Sequence, residues 1–80
     1  MEIKILGTGC PNCQRLERVA REAAQEAGIA ADFIKVMKYD DILKYPIMGT
    51  PGLVINEQLK SSGCIPRKEE IVAWLREAEA

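Results

Sequence analysis

Histidine is missing altogether: none occurs among the 80 residues of this chain. That excludes Cys–His nucleophilic pairs, Cys2His2 zinc and most catalytic metal centres, which draw on imidazole as base or ligand. Aromatics are scarce too, with one Trp, two Tyr and one Phe. Hydrophobic residues make up 48%, but many are alanine, such as Ala20, Ala23, Ala24 and Ala27, so the expected core is thin. Neither sign of charge dominates: 11 basic and 12 acidic side chains are mixed along the chain, for a net charge of -1. Without a basic tract to displace counterions from phosphates, nucleic acid is not an expected partner. No apolar run approaches the about 20 residues that cross a bilayer, so no membrane partner is expected either. The opening MEIKILG places Glu2 and Lys4 where a signal peptide would be apolar. The chain is therefore expected in the cytoplasm, where thiols are kept reduced. Repeats, linkers and low-complexity stretches are absent from the pattern, and a single domain over residues 1–80 is expected.

What is present is a regular alternation of elements. Glu2 to Leu6 sets Ile3 and Ile5 against Lys4 and reads as a strand. Leu16, Val19, Ala20, Ala23, Ala24 and Ala27 then recur at three- and four-residue steps, an amphipathic helix closed by Gly28. Ala31 to Val36 reads as a second strand, and strand–helix–strand of this length is most simply a right-handed parallel crossover. Asp40 can cap a short helix from Asp41 to about Tyr45, which Pro46 then disrupts. GLVIN after Pro51 is a third strand, and Asn56-Glu57 suits a tight turn into a fourth, Gln58 to Ser62, giving an antiparallel hairpin. The last helix starts near Arg67 and carries Ile71, Trp74, Leu75 and Ala78 on one face, with Trp74 read as packing. The order βαβαββα implies an α/β fold with a four-stranded mixed sheet and helices on both faces.

Cysteine is the third scarce residue, and here scarcity is informative. Of the three cysteines, Cys10 and Cys13 form a CxxC between the first strand and the first helix. In a reducing compartment such a pair points to redox or metal chemistry rather than to a structural disulfide. If the helix begins at Pro11, Cys10 is its N-cap, and proline suits the first helical position because its missing N–H had no partner there. The free N–H groups of Asn12 and Cys13 then face the Cys10 sulfur, and the positive end of the helix dipole adds to them. Both favour thiolate over thiol, and such placement brings a cysteine from about 8.5 to about 7 or lower. Cys10, at the tip, is the expected attacking thiolate. Cys13, one turn in, is expected to resolve the mixed disulfide. Gly9, Pro11 and Asn12 complete the loop around them.

A second stretch bears on the choice between redox and metal. In YPIMGTPGLVIN, Gly49 and Thr50 lead into Pro51 at the mouth of an apolar strand, the one strand position where proline removes no ladder bond. Were the Thr50–Pro51 bond cis, Thr50 would turn its N–H and C=O outward toward an extended substrate. Local sequence alone favours trans, since only about 5–6% of X–Pro bonds in folded proteins are cis. The rival is a small copper-type metallochaperone, whose soft thiolates would take Cu(I) or zinc. Those domains share the CxxC position, but their order is βαββαβ and they carry a methionine before the pair, where this chain has Thr8 and Gly9. A third reading, a non-catalytic adaptor, would use the fold without the chemistry.

CPNC after a strand, GTP followed by GLVIN, and Gly63 after the fourth strand together resemble the thioredoxin superfamily. The likeness spans essentially the whole chain and is greatest to the small thioredoxin-like or glutaredoxin-like redox-active disulfide proteins of archaea and bacteria. The resemblance implies a minimal thioredoxin fold without the usual extra N-terminal strand and helix. It implies a cis Pro51 against the cysteine pair, and a substrate groove bordered by Thr50, Pro51, Gly63 and Cys64. Activity is expected to be reduction of disulfides in protein substrates by a monomer with no bound cofactor, recharged by a flavoprotein thioredoxin reductase. Gly9 stands where typical thioredoxins carry tryptophan.

Other residues receive plainer readings. Cys64 is read first as a small apolar lining residue, then as a thiol that modulates exchange or links two molecules; near the pair it could also complete a three-sulfur metal site. Met37 and Met48 are expected to fill core or groove, and Tyr39 and Tyr45 to pack partly in the core, with flanking of the active site as the second reading. Glu2, Lys4 and Asp32 are read as surface charge. Arg15 and Arg18 are expected on the solvated helix face, with Arg18 paired to Glu22 at i,i+4.

Overall fold

The computed structural model describes residues 1–79. In chain order it contains β1 (Glu2–Leu6), α1 (Pro11–Ala27), β2 (Asp32–Val36), α2 (Tyr39–Ile42), β3 (Gly52–Ile55), β4 (Gln58–Ser62) and α3 (Lys68–Glu79). The strands form one four-stranded mixed sheet in the order β2-β1-β3-β4. β1 runs parallel to β2, with Ile3 opposite Phe33, and antiparallel to β3, with Ile5 opposite Leu53.

Two caps fix the long helix. Cys10 is the N-cap, extended at φ -67 and ψ 164, and Pro11 follows at the first position. At the other end Gly28 turns left-handed at φ 70, which lets its N–H and that of Ile29 reach the carbonyls of Gln25 and Ala24. The hairpin turn is equally explicit. Asn56 and Glu57 are both left-handed, at φ 49 and 69, as a two-residue turn between twisted strands requires. Asn56 is held by a second contact, accepting the Glu2 N–H on its Oδ1 at 3.0 Å.

Alternation along the strands sends side chains to two layers. Ile3, Ile5, Leu53 and Ile55 face α1 and α3, where Leu16, Ala20, Ala23, Ala24, Ile71 and Leu75 complete a buried cluster. Full burial of one such leucine or isoleucine is worth about 1.5–3 kcal/mol. Trp74 packs against this cluster from its edge. Leu6 and Val54 point the other way and meet Ile42 of α2. Helices thus lie on both faces.

One expectation is corrected and two details are added. The short helix begins at Tyr39 with Lys38 as a cap that makes no side-chain bond, so Asp40 sits inside the first turn rather than capping it. Negative charge in a first turn is favourable in its own right, which is how Asp40 and Asp41 serve there. Lys60 is an extra residue in β4: Val54 pairs with Leu59 and Leu53 with Ser61, a bulge that sequence alternation does not announce. Of core or groove, Met37 and Met48 take the groove: Met48 is 96% exposed and Met37 half so, and each lines a cavity.

Candidate active site

The site forms where β1 hands over to α1. Beyond Leu6 the chain passes Gly7, Thr8 and Gly9, the last left-handed at φ 86, and reaches Cys10. The Cys10 sulfur accepts the Cys13 N–H at 3.4 Å and lies 2.6 Å from the Cys13 sulfur. One helical turn separates the two residues, yet their surroundings differ. Cys10 is partly exposed, whereas Cys13 is 4% exposed.

Ionisation follows from that difference. Hydrogen bonding from the Cys13 side chain, and then from the Cys13 backbone N–H, pulls the Cys10 thiol below its ordinary pKa. Burial, and then the hydrogen bond with Cys10, pushes the Cys13 thiol up. Of the two sulfurs, Cys10 is the one that ionises more readily, with Cys13 beside it as the more firmly protonated neighbour. Pro11 and Asn12 are exposed at the helix start.

The second stretch meets the first from across the sheet. The Thr50–Pro51 peptide bond is cis. Pro51 is buried and Thr50 exposed, and the Pro51 carbonyl accepts the Gly63 N–H at 2.9 Å. Gly63 is left-handed at φ 76 and faces Gly49, so the loops before β3 and after β4 touch. Cys64 is exposed and does not join the pair in a three-residue cluster. Among the described residues no group of three or more Cys, His, Asp or Glu stands together as a metal site.

A cavity of about 230 Å³ opens beside Cys13, walled by Thr8, Gly9, Gln14, Glu17, Lys35 and Met37. Glu17 enters it from α1. Burial works against its charge, but Arg21 at 2.9 Å and Lys35 at 3.2 Å outweigh that and hold the carboxyl below its usual pKa. The expected pair of Arg18 with Glu22 is absent among the described residues; the same i,i+4 step is made by Glu17 and Arg21 instead. That step was open to inspection in the sequence, but the contact with Lys35 of β2 was not. Lys4 is also more than surface charge. Half-buried on β1, it donates to Glu57 and to the Tyr45 hydroxyl, which together keep its ammonium above the ordinary range. A second depression of about 330 Å³ lies beside Thr50, lined by Thr8, Tyr39, Leu43, Ile47 and Met48.

These features are not isolated ones. Residues 1–76 match the family described as the thioredoxin domain. A thioredoxin of Methanothermobacter thermautotrophicus is 49% identical over 71 residues, covering 89% of this chain and 92% of that protein. The chain belongs to the thioredoxin family. A thioredoxin of Methanocaldococcus jannaschii is 36% identical over 74 residues, covering 92% of this chain and 85% of that one. In fold it is similar to reduced Escherichia coli glutaredoxin, with a TM-score of 0.55, 21% identity and 100% of both chains covered. Membership makes the chain a thiol–disulfide oxidoreductase of the thioredoxin kind, with a CxxC pair to carry a redox function. No helix of the described residues is long and apolar enough to cross a membrane.

Proposed function

We propose that the chain reduces disulfides in partner proteins through a two-step exchange at Cys10 and Cys13. The observation that carries this is a pair of sulfurs 2.6 Å apart, one partly exposed at a helix start and the other buried one turn in. In the first step the Cys10 thiolate attacks one sulfur of the partner's disulfide. That bond breaks, the other sulfur leaves and takes a proton from water, and a mixed disulfide joins the partner to Cys10. Cys13 then gives up its proton and attacks the Cys10 sulfur. The partner's second thiol leaves, and a Cys10–Cys13 disulfide remains. Two electrons have passed to the partner, and an external donor must return them.

Thr50 and Pro51 are read as the place where an extended partner segment lies, with Gly63 and Cys64 at its border. Their support is position: the loop before β3 touches the loop after β4, and Thr50 is exposed at its edge. The donor is read, from family resemblance, as a flavoprotein thioredoxin reductase, and the chain as a single cytoplasmic domain acting as a monomer.

The test is reduction of an accessible protein disulfide, such as that of insulin, with a dithiol as donor. Cys10→Ser is expected to abolish turnover, and Cys13→Ser to accumulate a mixed disulfide through Cys10. Turnover that survives Cys10→Ser would overturn the assignment. Tight stoichiometric Cu(I) or zinc binding without exchange would replace it with metal delivery.

A further inference from the structure

Gly7 is buried at the end of β1, and backbone conformation does not explain why it is glycine. Its φ lies outside the left-handed region that Gly9, Gly28 and Gly63 occupy. Its N–H extends the ladder between β1 and β2 by donating to the Val36 carbonyl at 3.0 Å. Any L residue adopts such a backbone. Space is what distinguishes the position. A Cβ on Gly7 would fall far inside contact distance of the Cys13 sulfur, 3.3 Å from the Cys13 Cβ and 4.0 Å from the Thr50 Cβ. The sulfur therefore fills the volume that a side chain at position 7 would take.

We propose that Gly7 is a positioning residue for disulfide exchange: by lacking a Cβ it seats the Cys13 sulfur against Cys10 and out of the adjoining cavity. The proposal rests on the resolving role of Cys13 given above. With alanine at position 7 the sulfur has one roomy exit, the cavity of about 230 Å³ that Cys13 itself lines. Changing to another staggered rotamer, a rotation of about 120°, carries a sulfur by about 3 Å. From there it is beyond reach of the about 2.05 Å bond it must form. Attack by Cys10 on a partner does not pass through this contact, so the two steps should separate.

The experiment uses dithionitrobenzoate as the disulfide, with exposed Cys64 replaced by alanine in both the wild-type and the Gly7→Ala protein, so that each step releases one coloured thiol. At about pH 9.5, where an ordinary thiol is already ionised, first release should match wild type in Gly7→Ala. Second release, which forms the Cys10–Cys13 bond, should slow by about 100-fold. A second release as fast as wild type in folded Gly7→Ala overturns the proposal and leaves the Cys13 role standing. A wild-type protein that releases no second equivalent overturns both.

A stability measurement keeps the idea testable if Gly7→Ala folds poorly. In the reduced state its loss of Tm should be larger with Cys13 present than in a Cys13→Ala background, where no sulfur contests the space. Equal losses in the two backgrounds overturn it.

Discussion

The two faces of the sheet are built to different depths. Toward α1 and α3, ten residues form a fully covered cluster, and the helices are 17 and 12 residues long. Toward α2 the buried cluster has three residues under a helix of four, and Tyr39, Leu43 and Met48 are left 63%, 60% and 96% exposed. The first face holds the fold together. The second leaves apolar side chains in water beside the Thr50 loop, as proteins do at surfaces that meet other proteins. One small chain thus packs one side of its sheet deeply and leaves apolar side chains exposed on the other.

That contrast can be broken most directly in the thick layer. Leu16→Ala should cost about 2–5 kcal/mol by urea denaturation, because α1 and the sheet cannot close over the void. Ile42→Ala in the thin layer should cost about 2 kcal/mol or less, since few neighbours are lost with it. Equal costs would erase the distinction.

Next comes the site, where the layers meet. Reduced protein should be alkylated at Cys10 with a rate that is half-maximal below the about 8.5 of a free thiol. The sign follows from the direction of the shift. A folded-state pKa lowered by the Cys13 hydrogen bonds gives stability that is full above the unfolded value and lost as pH falls through the folded one. Rates of iodoacetamide labelling against pH, with the labelled residue mapped by mass spectrometry, decide it; a free-cysteine profile would remove the thiolate.

A smaller effect is expected at the cap of α1. Gly28→Ala forces a Cβ into a left-handed backbone and should cost about 1 kcal/mol, read as a shift of the urea midpoint. Smallest of all, Leu43→Ser on the thin face should change stability by no more than about 0.5 kcal/mol. A larger loss there would mean that α2 contributes more to the fold than its exposure implies.

Local rules made much of this legible in advance. Pro11 after Cys10, and Gly28 after the last apolar position, announce both ends of α1 because capping depends on neighbours in sequence. Asn56 and Glu57 announce the hairpin for the same reason. Asp40 misled because a good capping residue also stabilises the turn that follows, and sequence does not say which of the two it does. Lys4 with Tyr45 and Glu57, and Glu17 with Lys35, join residues far apart in the chain, so no spacing rule reaches them.

By itself the sequence determined the order of elements, both caps of α1, the hairpin turn and the placing of two cysteines at a helix start, since each depends on contacts within a few residues. Only the tertiary structure decided that Cys13 is buried while Cys64 is exposed, that Met37 and Met48 lie outside the core, and that Gly7 leaves room for a sulfur. Burial and free volume belong to surfaces brought together from distant segments, and the chain has neither until it is folded.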